Sequence, residues 1–279
     1  MAAIPPRPEQ QVINRIYSAI EKDKAKPDLY LGRLGSSFIG EECIRQVWLD
    51  WRGFAREPFG GRMLRLFETG HLQEARVVED LRLAGMAVWD KQENGNQYEF
   101  IDKTGHFITK LDGVIKNVPD YENTPHILEI KTHNKNSFSS LTKKGVQEAK
   151  PLHYAQVQIS MALSGFTRAL YVAICKDDEQ LYVERIKEDK KEQEKLLERI
   201  SKLVSATLIP AGISDDGSSF GCKFCAMKLV CVHQEVPLRH CRTCTRCSPG
   251  EDGKWVCDLN NDTLSIDIQR LGCEYYEAI

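Results

Sequence analysis

The segment 127–132, Ile-Leu-Glu-Ile-Lys-Thr, constrains the fold of this chain more than any other stretch. Its composition predicts a β-strand, and strand side chains alternate between the two faces of a sheet. Glu129 and Lys131 would therefore share one face, while Leu128 and Ile130 occupy the other. Either the charged face carries chemistry, or this is an ordinary amphipathic strand with a surface Glu and Lys.

A second carboxylate is expected beside this strand. The run 107–115 contains Asp112, and we predict that the strand continues through Asp112 and Gly113 without a turn. A loop at 119–125 would then return the chain and bring Asp112 next to Glu129. Carboxylate oxygens, with the carbonyl of Ile130 as a further donor, suit Mg²⁺ or Mn²⁺. The ammonium of Lys131 would stabilise a hydroxide or the charge that develops on a phosphate under attack.

Asp112 followed by Glu129-Ile130-Lys131 resembles the motif of the PD-(D/E)xK nucleases, and the flanking segments resemble their RecB-like and lambda-type phage exonuclease branch. Upstream, Gly-His-Leu-Gln-Glu at 70–74 resembles the helical first motif. Downstream, the segment 153–158 resembles the glutamine motif, with Ser160 where the family often has Tyr. That difference leaves Gln158 open beside Gln156.

This resemblance implies an α/β nuclease core, a mixed sheet flanked by helices, that hydrolyses DNA. It implies exonuclease action at DNA ends in recombination, replication or repair, with a phage setting and a single-strand annealing or binding protein as a partner. The implied catalytic residues are Asp112, Glu129, Lys131, Glu74 and Gln156, and the implied Mg²⁺ or Mn²⁺ ligands are Asp112, Glu129, Ile130 and Glu74. The alternative is a non-catalytic DNA-end or protein-binding module that keeps the nuclease fold, with or without redox regulation through its cluster. Without the resemblance, Glu74 would be a solvated helix glutamate.

Candidate DNA contacts lie on both sides of the strand. Lys135, Lys143 and Lys144 belong to a polar stretch at 133–150, for which we predict a loop that contacts phosphates or a mobile solvated loop. His71 precedes Glu74 by three residues on the same helical side and would contact a phosphate or a metal-bound water, or else pack internally.

The bulk composition narrows the class of protein. The chain has 279 residues, of which 42% are hydrophobic, and a formal charge of −2. Such a charge gives no general attraction to nucleic acid, so DNA contacts must be local. No apolar run approaches the roughly 20 residues of a membrane helix, and the first ten residues lack the apolar core of a signal peptide. We therefore expect a cytoplasmic protein without a membrane partner.

The ten cysteines of the chain are expected to act as metal ligands in such a reducing compartment. Cys222, Cys225 and Cys231 are closely spaced, and Cys43 is the candidate fourth ligand. This set resembles the iron staple of AddB-type nucleases, which implies a [4Fe–4S] cluster. A zinc ion on the same thiolates, or a Cys43 unrelated to the other three, are the alternatives.

A second cysteine group lies near the end of the chain. Cys241, Cys244, Cys257 and Cys273 have the spacing of a four-cysteine zinc ribbon. Trp255 is expected to cover a small core that zinc completes. Cys247 or His240 could replace one of the four ligands.

These patterns predict two domains, a nuclease domain at 1–235 and a zinc-ribbon-like module at 236–279. The first would comprise N-terminal helices at 1–60, a core at 61–207 and the cysteine cluster at 220–235. Helices are predicted at 8–24, 40–51, 61–83, 152–164 and 187–202, and strands at 86–90, 97–101, 106–118, 127–132, 168–175 and 180–186. The last of these helices would face inward with Leu196, Leu197, Ile200 and Leu203.

Overall fold

The computed structural model describes residues 8–25, 31–55 and 58–279. Its helices are α1 (Pro8–Asp23), α2 (Ile44–Arg52), α3 (Gly61–Leu83), α4 (Lys135–Ala149), α5 (Pro151–Ser164), α6 (Lys190–Ser205), α7 (Lys228–His233) and α8 (Ile266–Leu271). Its strands are β1 (Leu34–Gly35), β2 (Ala87–Trp89), β3 (Tyr98–Ile101), β4 (Phe107–Leu111), β5 (Gly113–Lys116), β6 (His126–His133), β7 (Arg168–Cys175), β8 (Leu181–Lys187), β9 (Cys247–Pro249), β10 (Trp255–Cys257) and β11 (Asp262–Leu264).

The main sheet has five strands in the order β2-β5-β6-β7-β8. Strands β6 and β7 are parallel, and the other pairs are antiparallel. On one face, Leu128 and Ile130 pack with Val77 and Val78 of α3. On the other face, Ile127 packs in a cluster with residues of α4 and α5. The predicted mixed sheet flanked by helices is thus confirmed.

The predicted continuous strand at 106–118 is wrong. Strand β4 joins a separate three-stranded sheet, in the order β1-β4-β3, whereas β5 belongs to the main sheet. Asp112 occupies the bend between them. Gly113 follows the bend, where a Cβ atom would lie only 3.1 Å from the carbonyl oxygen of Trp89. A larger residue would crowd this backbone, so the bend relies on glycine.

The stretch 133–150 is also not a loop. It forms α4, whose first turn is capped by the side chain of Asn134, which accepts a hydrogen bond from the N–H of Ser137. Phe138 and Leu141 are buried on its inner face, which provides the packing that holds a helix with many exposed lysines.

Two further expectations about helices need correction. Helix α2 begins at Ile44, so that Cys43 is its N-cap residue rather than a residue within the helix. On α6, Leu196 and Ile200 are buried as expected, but Leu197 is 40% exposed. Leu197 lies one residue beyond the inward-facing stripe, and the 3.6-residue period turns it towards solvent.

The C-terminal region packs directly against the N-terminal helices. Strands β9, β10 and β11 form a small antiparallel sheet, and Trp255 lies 5.0 Å from Trp51, measured between ring centroids. The buried guanidinium of Arg52 donates hydrogen bonds to the carbonyl oxygens of Arg242 and Cys247. One apolar core therefore includes residues from both ends of the chain. Within the described residues, no helix has the length and apolarity needed to cross a membrane.

Candidate active site

The bend between the two sheets places Asp112 against β6. Its Oδ2 atom accepts a hydrogen bond of 2.8 Å from the backbone N–H of Ile130. Because Ile130 lies between Glu129 and Lys131 in the strand, this bond holds the Asp112 carboxylate beside both of them. The predicted convergence of Asp112, Glu129 and Lys131 is what the structure shows, although a bend rather than a straight strand produces it.

Glu129 is the most perturbed acid of the group. Its side chain is only 1% exposed, and its Oε1 atom forms an ion pair with the ammonium of Lys131. Neither carboxylate oxygen has a hydrogen-bond partner of good geometry. Burial raises the pKa of Glu129 to about 7, Lys131 opposes this rise, and Asp112 adds to it. A buried carboxylate in this situation favours a proton or a cation.

Lys131 stays protonated, and Glu74 joins the same electrostatic group. Burial alone would lower the pKa of Lys131, but Glu129, Asp112 and Glu74 outweigh it and raise the pKa above its ordinary value. Burial, and then the charge of Asp112, raise the pKa of Glu74, while His71 and Lys131 oppose the rise. The third carboxylate of the predicted set therefore lies within electrostatic reach of the other two.

A groove of about 1180 Å³ opens at this point. His71 and Glu74 of α3, Asp112, Ile130 and Gln156 line it together. The groove brings together the predicted helical residues, Asp112 and the strand residue Ile130, whereas Glu129 and Lys131 are not among its lining residues.

The structure also distinguishes the two glutamines of α5. Gln158 is fully buried, donates a hydrogen bond to the carbonyl oxygen of Lys187 and accepts one from the N–H of Asp189. These bonds tie α5 to the start of α6. Gln156 instead faces the groove, so it is the glutamine that can act there.

A second cavity of about 310 Å³ is lined by Lys131 and shares Glu74 and Ile130 with the groove. Lys150 and Ser137 line it, and the Lys150 ammonium donates a hydrogen bond of 2.7 Å to the Ser137 hydroxyl. The cavity thus presents two ammonium groups and a hydroxyl, a set suited to an anion such as phosphate.

Two histidines at this cavity were missed by sequence reasoning. The imidazoles of His133 and His153 both hydrogen-bond the hydroxyl of Tyr171, at 3.1 and 2.7 Å. Burial, together with nearby lysines, lowers the pKa of His133 to about 4 and that of His153 to about 3. The period of the strand carried a signal for one of them, because His133 continues the face of Glu129 and Lys131.

The predicted DNA-contacting lysines lie elsewhere. Lys135, Lys143 and Lys144 are on α4, and none of them lines the groove or the second cavity. Lys144 is 2.9 Å from Glu148, and Lys135 is 3.9 Å from Asp178. Their contact with DNA stays a prediction.

The donor chemistry of the site fits a hard divalent cation. Asp112, Glu129 and Glu74 supply carboxylate oxygens, and Glu129 has an oxygen without any partner. Among the residues that the structure describes, however, no group of three or more His, Cys, Asp or Glu side chains has the arrangement of a finished metal site. The ligand assignments therefore stay predictions.

The first cysteine group is gathered in space. The thiol pKa of Cys225 is raised by burial and then by the nearby Cys43, Cys231 and Cys222. Arg45 donates a hydrogen bond of 3.5 Å to the Sγ atom of Cys231. The chain thus brings Cys43 near the three later cysteines, while the iron staple stays a prediction.

The second cysteine group lines a cavity of about 20 Å³. The four predicted zinc ligands, Cys241, Cys244, Cys257 and Cys273, lie around it together with Cys247. His240 is not among the lining residues, and its Nε2 atom is 2.9 Å from the carbonyl oxygen of Gly53. Cys247 thus remains as the alternative ligand in this cavity.

No family model matches the sequence, and no curated protein matches it. Among solved structures, an alkaline exonuclease (LHK-Exo) from Laribacter hongkongensis shares 17% identity over 69% of this chain and 91% of its own, with a TM-score of 0.45. Its complex with dAMP gives a TM-score of 0.44 at the same identity and coverage. SSO0001 shares 14% identity over 79% of this chain and 96% of its own, with a TM-score of 0.47. Likeness at this level assigns neither a family nor an activity.

Proposed function

We propose that this chain is a metal-dependent deoxyribonuclease that acts as an exonuclease on DNA ends. One observation carries the proposal: Glu74, Asp112 and Lys131 line the groove or the second cavity, and the buried Glu129 forms an ion pair with Lys131. Three carboxylates, one of them fully buried, lie around one ammonium, and a phosphodiesterase site gives each of them a role.

The carboxylates of Asp112, Glu129 and Glu74, with the carbonyl of Ile130, would hold Mg²⁺ or Mn²⁺. Such a cation, when bound, polarises a phosphate oxygen and lowers the pKa of water. The Oε2 atom of Glu129, which has no hydrogen-bond partner among the described residues, supports this assignment, because a buried carboxylate oxygen without a partner is otherwise destabilising.

Lys131 would stabilise the transition state electrostatically. Its raised pKa keeps the ammonium charged, so it has no capacity to serve as a general base near neutral pH. A fixed positive charge next to a phosphate under attack favours the transition state, in which negative charge increases. Gln156 would orient a phosphate or a water molecule through its amide.

The DNA strand would lie in the groove. Arg33, Lys91 and Lys110 line it and would contact phosphates. Asp50, Glu74, Asp90 and Asp112 line it as well, and a bound cation would offset part of their negative charge. Lys150 and Ser137 in the second cavity would hold a further phosphate. Action at DNA ends, and a role in phage recombination, replication or repair, follow from the motif resemblance and belong to the proposal.

Two metal sites on the cysteine groups complete the proposed function. A [4Fe–4S] cluster on Cys43, Cys222, Cys225 and Cys231, with zinc as the alternative, would join the N-terminal region to the segment that follows the core. Zinc on Cys241, Cys244, Cys257 and Cys273 would stabilise the C-terminal sheet.

The test is digestion of end-labelled linear DNA with Mg²⁺ or Mn²⁺, for wild type, Lys131→Met and Lys191→Met. Lys191→Met is the matched control, because Lys191 is exposed on α6, outside both cavities and outside the candidate DNA contacts. We expect shortening from an end by wild type and the control, and a loss of about a hundredfold or more in Lys131→Met. A folded wild type that binds DNA ends without cutting would reject catalysis and favour the binding-module alternative.

A further inference from the structure

Two phenylalanines project from the first cysteine group into solvent. Phe220 and Phe224 are each 80% exposed, and their ring centroids are 6.4 Å apart in an edge-to-face arrangement. Lys223 lies between them in sequence, with its ammonium 5.5 Å from the centre of the Phe224 ring. An exposed aromatic pair costs solvation free energy, so a role in binding would explain it.

This pair stands next to the groove. Ala226 and Met227 line the same groove as Glu74 and Asp112. Ala226 follows Phe224 by two residues, a separation of at most about 7 Å between Cα atoms. Phe224 is thus close to a wall of the groove that also holds the carboxylates of Glu74 and Asp112.

We propose that Phe220 and Phe224 form a stacking platform for the bases of a single DNA strand, with Lys223 as a phosphate contact. The inference rests on the proposed nuclease function, which supplies a DNA strand in the groove. Stacking on aromatic rings beside a cation is how proteins bind single strands without reading their sequence. A duplex keeps its bases stacked within itself and has little to offer these rings.

The other role for the pair would be to cover the cysteine group. The exposure argues against it, because rings that shield thiols would lie over them and lose most of their solvent contact. Cys222 is buried although Phe220 and Phe224 are not. The shielding of that thiol therefore comes from other groups.

The experiment measures binding of the full chain to a fluorescent single strand and to a duplex of the same length, in EDTA to prevent cutting. The variants are Phe220→Ala/Phe224→Ala, the corresponding double Leu and double Trp variants, and Lys223→Ala. Leu83→Ala is the control, because Leu83 is 85% exposed at the far end of α3. Thermal melting and far-ultraviolet circular dichroism show whether each variant is folded.

We expect the Ala and Leu pairs to weaken single-strand binding about tenfold for each stacked base, with Trp restoring it and duplex binding changing less than about twofold. The slope of log K against log salt should stay the same in the Phe variants and fall by about 0.7 in Lys223→Ala.

Unchanged single-strand affinity in the Ala pair, or full affinity in the Leu pair, overturns the inference. Loss of self-association in the Ala pair, with DNA binding intact, would make the rings a protein interface and overturn it as well. Digestion of the same DNA with Mg²⁺ separates the two proposals: normal cutting by a variant with normal binding rejects the platform alone, whereas wild type that binds and never cuts rejects the nuclease alone.

Discussion

Asp112 accepts a hydrogen bond from the backbone N–H of Ile130, with 2.8 Å between Oδ2 and the nitrogen. The bond links the bend between β4 and β5 to the middle of β6. The bond occupies one oxygen of the Asp112 carboxylate, and the proposed chemistry needs the negative charge of the same group. Substitutions that keep the acceptor but remove the charge can therefore separate the structural role of Asp112 from its proposed catalytic role.

Asp112→Asn should abolish activity and keep the fold. The Asn carbonyl still accepts the bond from Ile130, but the negative charge is lost, and we expect turnover to fall about a hundredfold or more. Asp112→Ala should also destabilise the chain by about 1–3 kcal/mol, because the Ile130 N–H loses its partner. Urea unfolding and initial rates measure the two effects. An Asn variant with a tenth of wild-type activity would contradict the assignment.

The bend at Asp112 is a feature of the fold that the local sequence pattern does not predict. The alternation in 127–132 correctly predicted strand β6, because side-chain period is a local property. The same pattern at 107–115 predicted one strand, whereas the chain changes sheets between Leu111 and Gly113. Which sheet a strand joins depends on distant partners such as Leu34 and Trp89, and no local pattern contains that information.

Glu129→Gln should stabilise the protein at neutral and higher pH when divalent cations are absent. The folded pKa of about 7 lies above the ordinary 4.5, so the folded chain binds more protons between these values. Stability therefore falls as pH rises from about 4.5 to about 7, and the neutral amide avoids this loss. We expect a gain of about 3 kcal/mol at pH 8 that disappears below about pH 4.5.

Thermal melting in EDTA across this pH range checks the result, with Glu194→Gln on the exposed face of α6 as the control. Added Mg²⁺ should raise the melting temperature of wild type and leave Glu129→Gln unchanged, since a ligand stabilises only the state that binds it. If the melting temperatures of wild type and Glu129→Gln depend on pH in the same way, the pKa of Glu129 is not raised by burial.

Substitution of Gln156 should lower activity, whereas substitution of Gln158 should lower stability. Gln158→Ala leaves the carbonyl of Lys187 and the N–H of Asp189 without partners, and we expect a loss of about 1–3 kcal/mol with nearly normal turnover per folded molecule. Gln156→Ala should keep its stability within about 1 kcal/mol and lower turnover about a hundredfold. Paired denaturation and rate measurements decide, and a reversal of the pattern would assign the active role to Gln158.

His133→Asn should flatten the acid side of the stability profile. The folded pKa of about 4 is below the ordinary 6.5, so the unfolded chain binds the extra proton between these values. Stability therefore falls as pH drops from about 6.5 to about 4, by about 1.4 kcal/mol per pH unit for one proton. Removing the imidazole should remove that slope. The exposed His233 gives the control His233→Asn, and equal slopes in wild type and His133→Asn would contradict the burial of a neutral imidazole.

The sequence predicted part of the candidate site and missed another part, as it did for the fold. The positions of Glu74, Asp112, Glu129 and Lys131 followed from motifs that resemble a family, and the structure places them together. The network of His133, His153 and Tyr171 did not follow, because Tyr171 reaches the site only through its pairing opposite Glu129 in the parallel strands. Such cross-strand register is a tertiary property. The sequence alone indicated only that His133 lies on the same strand face as Glu129 and Lys131.

The five cysteines around the small C-terminal cavity allow a last prediction. A four-coordinate zinc ion needs four thiolates, and Cys247 is the spare. Cys247 is 4% exposed, and burial raises its pKa to about 12, which disfavours the thiolate that zinc requires. Cys247→Ala should therefore keep one zinc ion per chain, and Cys273→Ser should lose it and melt at lower temperature.

Metal analysis of anaerobically purified protein measures the zinc content, and the visible absorption of an iron–sulfur cluster reports separately on the other cysteine group. Cys175→Ala is the control, because Cys175 is buried in β7, outside both groups. Both thiols line the cavity. Zinc retained in Cys273→Ser and lost in Cys247→Ala would therefore show that Cys247, and not Cys273, is the fourth ligand. Zinc absent from wild type would leave Trp255 and its packing against Trp51 as the stabilising element of the C-terminal sheet.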